Sequence, residues 1–166
     1  MNLHIRRLAP DDTAAALQVI NAAAAWYREF LPPDELHEPE MTAEQFGAEA
    51  RRMTWFGAFE GETLRAVMGL EPLGDVALVR HGYVVPTHQR SGVGSALLDH
   101  LEREAGDATR IVIGTYAANY KAQASLEKAG YTLSSDSQEV LRRYFSIPHD
   151  RARRSVTYEK PLPRRA

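Results

Sequence analysis

Val84-Val85-Pro86-Thr87-His88-Gln89-Arg90-Ser91-Gly92-Val93-Gly94-Ser95-Ala96-Leu97-Leu98 carries three signals in succession. A β-branched run stops at a proline, as strand ends do. A short polar loop follows, holding Gly92 and Gly94. An amphipathic helix then opens. A glycine loop entering a helix leaves several backbone N–H groups without internal partners, and the helix dipole adds partial positive charge at the same place. That combination suits an anion, phosphate best of all. Glycine matters because it allows close approach and positive φ. An ordinary strand-to-helix turn would use glycine for shape alone, so the loop has to be weighed with its surroundings.

Upstream of the loop, Val76 to Val85 predicts a strand. It follows a hairpin signal: Trp55 to Phe59, a turn at Glu60-Gly61-Glu62, and Leu64 to Leu70. Leu3 to Leu8 alternates apolar and polar residues and predicts a first strand. Pro10 to Thr13 opens a helix carrying Ala16, Leu17, Ile20, Ala23 and Ala24 at helical spacing, and Pro32-Pro33 breaks it. Thr42-Ala43-Glu44-Gln45 reads as a capping box for a second helix reaching about Arg52. Downstream, Val93, Ala96, Leu97, Leu101 and Ala105 form an apolar stripe, stopped at Gly106. Arg110 to Thr115 predicts a buried strand, parallel to its predecessor across the helix. Ala118 to Ala129 is a helix ended by Gly130, and Tyr131 to Leu133 returns to extended structure. Residues 136 to 145 carry no clear pattern, and Ser155 to Glu159 is a last strand. The order β-α-α-β-β-β-α-β-α-β-β implies an α/β fold with one mixed sheet: an antiparallel meander feeding a parallel crossover.

Composition narrows the field. The chain has 166 residues, 44% hydrophobic and 25% charged, with a formal net charge of −2. Those values suit one globular domain and give no global attraction to nucleic acid or anionic membrane. There is no cysteine, which excludes disulfides, thiolate zinc sites and a cysteine nucleophile and fits a reducing cytoplasm. His4, His37, His88, His100 and His149 show no metal spacing. No apolar run is of membrane length, and the N-terminus has no signal core, so a cytoplasmic location is expected.

Two phosphate loops can be set aside. The lysine P-loop pattern is missing, and the dinucleotide fingerprint fails at Leu97. What stands is Gln-x-x-Gly-x-Gly, Gln89 to Gly94, after a strand ending Val-Val-Pro. It resembles the pyrophosphate loop of the GCN5-related N-acetyltransferase (GNAT) family. Asn119 to Tyr131, Asn-x-x-Ala then Gly-Tyr, is similar to that family's second motif. Leu141 to Val156, with Tyr144 and Pro148, looks like the closing region of some small bacterial members. The element order agrees over most of the chain.

The resemblance implies an N-acetyltransferase domain over residues 1–160 and a short basic tail over 161–166. It implies an enzyme moving an acetyl group from acetyl-CoA, as co-substrate and without metal, to a primary amine of a small molecule or amino acid. It places the pantetheine arm along Tyr83, Val84 and Val85. It places the pyrophosphate on Gln89, Arg90, Ser91, Gly92, Val93, Gly94 and Ser95, with Asn119 as a further cofactor contact. Small members often dimerise, so a homodimer is an expectation. One departure stands out: relatives usually carry a tyrosine, general acid to the leaving thiolate, where this chain has Leu126. Leucine cannot donate a proton. Tyr116 and Tyr120 are stand-ins, or simply packing and surface residues. The alternative reading is a CoA-binding sensor with weak or lost turnover.

Amide formation needs a base for the amine proton. Glu71, Arg80 and His81 lie along the central strand or its approach. His81 has the right chemistry near neutral pH, and a bulge at Gly82 could re-aim it; a satisfied strand histidine is the plainer reading. Glu29, Asp34, Glu35, Glu38 and Glu40 gather where the acceptor is expected, and such a rim draws cationic amines. Trp26, Tyr27, Met41 and Trp55 either line a pocket or pack the core. Arg142, Arg143, Arg151, Arg153, Arg154, Arg164 and Arg165 make the C-terminal region basic, but no nucleic-acid motif accompanies them.

Overall fold

The computed structural model describes residues 2–163, which divide into two compact units. The first comprises residues up to Glu71 together with His81–Glu104; the second comprises Pro72–Arg80 and the chain from Ala105 onward.

In the first unit, β1 (Leu3–Arg7) pairs antiparallel with β2 (Thr54–Glu60), Leu3 opposite Glu60 and Arg7 opposite Phe56. β2 pairs antiparallel with β3 (Thr63–Leu73) around the Gly61 turn, where φ is +61°. α1 (Thr13–Ala24) starts where the Asp12 carboxylate accepts from the Ala9 N–H at 2.7 Å and from Arg6 at 2.7 Å. α2 (Ala43–Glu49) has the capping box expected of it: Thr42 Oγ1 accepts from the Gln45 N–H, and Gln45 Oε1 accepts from the Thr42 N–H. It ends at Glu49, earlier than its sequence pattern suggests. Ala16, Val19 and Ile20 of α1, Phe46 of α2, and Trp55, Phe59, Leu64 and Val67 of the hairpin form one core. Met41 and Trp55 belong to that core, which decides their use as packing. A Cβ on Gly57 would lie 2.6 Å from Leu8 Cδ2 and 2.7 Å from Leu64 Cδ1. Gly57→Ala is therefore expected to cost about 1–2 kcal/mol in urea unfolding, because both leucine tips and the Phe59 ring edge must move.

β4 (Val76–Val84) leads out of the second unit into the first. Its opening residues pair parallel with β5 (Arg110–Tyr116), Val76 opposite Arg110 through Val79 opposite Ile113. β5 pairs antiparallel with β7 (Ser155–Pro161), and β7 with the two-residue β6 (Thr132–Leu133). The sheet is thus mixed, as the element order implied. α3 (Val93–Glu104) belongs to the first unit, α4 (Tyr120–Lys128) to the second. Gly130, at φ +92°, closes α4: its N–H donates to Glu127 O, and the Tyr131 N–H donates to Leu126 O at 2.9 Å. That crossed pair satisfies the last carbonyls of the helix.

The stretch without a readable period forms α5 (Ser137–Val140), a π-turn over Leu141–Phe145 and α6 (His149–Arg153). Val140, Leu141 and Phe145 pack on Val76, Leu78 and Val112. The anticipated C-terminal tail begins in ordered structure: Pro161 ends β7, and the Leu162 N–H donates to Thr109 O at 2.8 Å. Arg164 and Arg165 lie outside the described residues. No helix among the described residues is long and apolar enough to cross a membrane.

Candidate active site

The first unit carries the loop and the strand end that the sequence singled out. After β4, a 3-10 turn at Pro86–His88 carries the chain toward α3. Gln89 folds back, and its side-chain amide donates to Val84 O at 3.3 Å. The Ser91 hydroxyl and N–H both donate to His88 O. Arg90 has φ +65° and Gly92 φ +89°; such left-handed steps turn successive N–H groups toward one side, an anion-binding arrangement. Among the described residues, the N–H groups of Gln89, Arg90, Gly92, Val93, Gly94 and Ser95 have no hydrogen-bond partner, and the first helical bond is Ala96 N–H to Gly92 O. Val93 is fully buried and anchors the helix, while the first turn holds no acidic side chain to compete with an anion. A Cβ on Gly94 would stand 3.2 Å from Val84 Cγ2, so that methyl would have to give by a few tenths of an ångström for any larger residue.

His88 ties the loop to the hairpin. Its Nε2 lies 3.3 Å from Glu60 Oε1, and its Nδ1 2.9 Å from Thr87 Oγ1. Arg65 holds the same Glu60 oxygen at 3.0 Å and, with His88, keeps that carboxyl below its usual range. Val85 spends its N–H on Arg65 O and its carbonyl on the His88 N–H. Its backbone is therefore committed inside the chain. Tyr83 is buried, and its hydroxyl accepts from Tyr27 at 3.4 Å.

His81 sits where β4 departs from regular strand geometry, with φ +56°. A non-glycine residue there is strained by about 1 kcal/mol or more. The turn aims the imidazole at α2, where Nε2 lies 3.2 Å from Glu49 Oε2. Nε2 is buried, and its approach to the carboxylate falls short of a well-aligned hydrogen bond. The ring packs against Trp55, centroids 5.6 Å apart. Trp55 stacks on Phe46 at 4.3 Å and donates its indole N–H to Phe46 O. Arg52 grips Glu49 with two bonds, Nη2 to Oε1 at 2.6 Å and Nε to Oε2 at 3.0 Å.

Burial pushes the Glu49 carboxyl up, but His81 and Arg52 outweigh it and bring it to about 2, against an ordinary 4.5. Because the folded value lies below the unfolded one, this stabilisation is complete above about pH 4.5 and lost as pH falls through about 2. Urea unfolding of the parent and of Glu49→Gln should thus show a stability gap that narrows by on the order of 2–3 kcal/mol between about pH 5 and about pH 2. A gap constant over that range would contradict the assignment.

The remaining candidates fall elsewhere. Arg80 is buried and donates to Tyr144 O and Phe145 O, both at 3.0 Å, with its guanidinium over the Phe145 ring. That is a structural cation, and guanidinium is no base at neutral pH. Glu71 is buried in β3. In the second unit, Asn119 caps α4 by accepting from the Ala122 N–H at 3.3 Å, and Leu126 is buried. Tyr116 is buried with Arg151 above its ring; Tyr120 is 64% exposed. Of the acidic rim, Glu38 and Glu40 line a cleft of about 140 Å³ with Asn21, Tyr27, Arg28 and His37. Glu38 is paired with Arg28 at 2.6 Å. Glu49 went unnoticed in the sequence because it reads as one more charge on a short helix; its spacing of three from Arg52 was the only local signal. No group of side chains among the described residues could hold a metal ion.

The model of the Acetyltransferase (GNAT) family matches residues 20–131, more than half of the chain. No curated protein matches it by sequence. Among solved structures it is similar to the PaiA N-acetyltransferase of Thermoplasma acidophilum in complex with coenzyme A, with TM-score 0.78 and 17% identity, covering 98% of this chain and 100% of that one. It is also similar to the ribosomal-protein-S18-alanine N-acetyltransferase of Escherichia coli, with TM-score 0.72 and 20% identity over 99% and 97% of the two chains. The GNAT domain of S. lividans PAT gives TM-score 0.69 and 23% identity over 96% and 90%. With the family match spanning the hairpin, the glycine loop and α4, the chain belongs to the GNAT family of acetyltransferases.

Proposed function

We propose that this chain transfers an acetyl group from acetyl-CoA to a primary amine of a small molecule or amino acid, with His81 as general base. The observation that carries the reading is the row of amides from Gln89 to Ser95 at the head of α3, which, Ser91 apart, have no partner among the described residues. Their N–H groups and the helix dipole suit a pyrophosphate, and Arg90 adds a cation beside them. Tyr83 and Val84 supply the strand along which the pantetheine arm would lie, since Val85 has its own backbone groups engaged. The similar PaiA N-acetyltransferase structure is a complex with coenzyme A, in keeping with this assignment.

The reaction joins the amine nitrogen to the acetyl carbon and breaks the carbon–sulfur bond. His81 accepts the proton that frees the amine lone pair, and as the thiolate leaves, the second nitrogen proton passes to it through solvent. The buried Leu126 has no proton to offer. A thiolate is a good enough leaving group for transfer to proceed without one, and positioning of the amine supplies much of the acceleration. The acceptor side is assigned to the cleft beside Tyr27, lined by Glu38, Glu40 and the Arg28 that pairs with Glu38.

Calorimetry with CoA, followed by thiol release across a panel of primary amines with acetyl-CoA, tests the proposal. Saturable heat with CoA and release dependent on at least one amine are expected. No heat with CoA would end it; heat without release for any amine would remove the transferase step.

A further inference from the structure

We infer that Glu49 is a positioning residue for His81: its carboxylate holds the imidazole by Nε2 and leaves Nδ1 as the nitrogen that takes the proton of the amine. This rests on His81 being the base. Three observations lead to it. First, the carboxylate is itself immobilised. Arg52 occupies Oε1 and one side of Oε2, so the remaining reach of Oε2 is toward His81 Nε2. Second, the two ring nitrogens are unlike. Nε2 is shut off from solvent and lies beside Glu49 Oε2, whereas Nδ1 makes no hydrogen bond among the described residues. Third, the ring has little freedom. Trp55 covers one face, itself fixed by Phe46, and the backbone is held at φ +56°.

A neutral imidazole carries one N–H. With Nε2 beside a carboxylate, the N–H sits there and the lone pair sits on Nδ1. When Nδ1 gains a proton, the imidazolium is stabilised by the same anion. The charged groups that face the ring are Glu49 and, through it, Arg52; β2 presents Trp55, and the chain neighbour Arg80 turns to the carbonyls of Tyr144 and Phe145. The single anion is therefore partly offset by Arg52, and its main effect is on orientation and tautomer.

The test combines pH profiles with the ring's own spectrum. Profiles of kcat/KM are measured for the parent, Glu49→Gln, Glu49→Asp and His81→Ala. Long-range proton–nitrogen NMR of the full chain reads the His81 tautomer in the parent and in Glu49→Ala. The parent should show the Nε2–H tautomer and Glu49→Ala a mixture. Glu49→Gln should lower the plateau about 10-fold, with the CoA KM unchanged. Glu49→Asp should recover part of the plateau. His81→Ala retaining parental activity would remove the base itself. An inactive His81→Ala beside an undiminished Glu49→Gln plateau, or a parental Nδ1–H tautomer, would overturn the role of Glu49 and leave the base standing. If a variant fails to fold, the parental tautomer alone still decides.

Discussion

His81→Ala is expected to lower kcat by about 100- to 10,000-fold, the range for losing a general base, with CoA affinity unchanged. An amine at neutral pH is mostly ammonium, which has no lone pair to attack with. Removing the imidazole leaves only solvent to take the proton, so the loss should be greatest at low pH and shrink as pH rises toward the pKa of the amine. CoA binding should not change, because the amides from Gln89 to Ser95 and the side chain of His81 are separate features of the unit. A companion variant separates chemistry from strain. His81→Gly should be as inactive as His81→Ala but about 1 kcal/mol more stable, because φ +56° is penalised for alanine and free for glycine. Equal activity of His81→Ala and the parent across the pH range would refute the assignment.

Gly92→Asp should weaken CoA binding by about 100-fold or more, which corresponds to ~2.7 kcal/mol. Two effects act together. The φ of +89° is strained for any residue with a Cβ, so the loop must relax away from the geometry that presents its amides. The carboxylate also puts a negative charge where a pyrophosphate is expected. Gly92→Ala separates the two, since nothing lies within 4 Å of the added Cβ and only the backbone cost remains. It should fall between the parent and Gly92→Asp. Calorimetry with CoA at two salt concentrations reads both parts: the charge contribution should shrink with salt, and the backbone contribution should not. Parental affinity in Gly92→Asp would show that the phosphates do not rest on this loop.

Much of the architecture was legible because its signals are local. The capping box at Thr42 and Gln45, the stop at Gly130 and the alternation in Leu3–Arg7 each depend on residues within a few positions of one another. They appear in the structure at or within a few residues of the expected places. The segment from Asp136 to Arg153 was not legible. Its helical pieces are four or five residues long, too short to show a period, and a π-turn joins two of them. Packing on Val76, Leu78 and Val112 holds that segment, and no local pattern encodes it. The departure at Leu126 was plain in the sequence, but its burial became plain only in the fold.

By itself, the sequence determined the strand–loop–helix at Val84–Leu98, because two glycines, a proline and a helical stripe act on the backbone next to them. It also singled out His81, beside Glu71 and Arg80, as a candidate base. Only the tertiary structure set a carboxylate against it. Glu49 lies 32 residues earlier in the chain and meets His81 because α2 and the end of β4 from His81 onward belong to one packed unit, with Trp55 and Phe46 stacked beside them. Left-handed backbone at His81 is likewise a property of the folded strand, since nothing in a histidine asks for it. A local pattern can announce which groups a chain owns, whereas the 3.2 Å between an imidazole and a carboxylate depends on every contact that sets the helix against the strand.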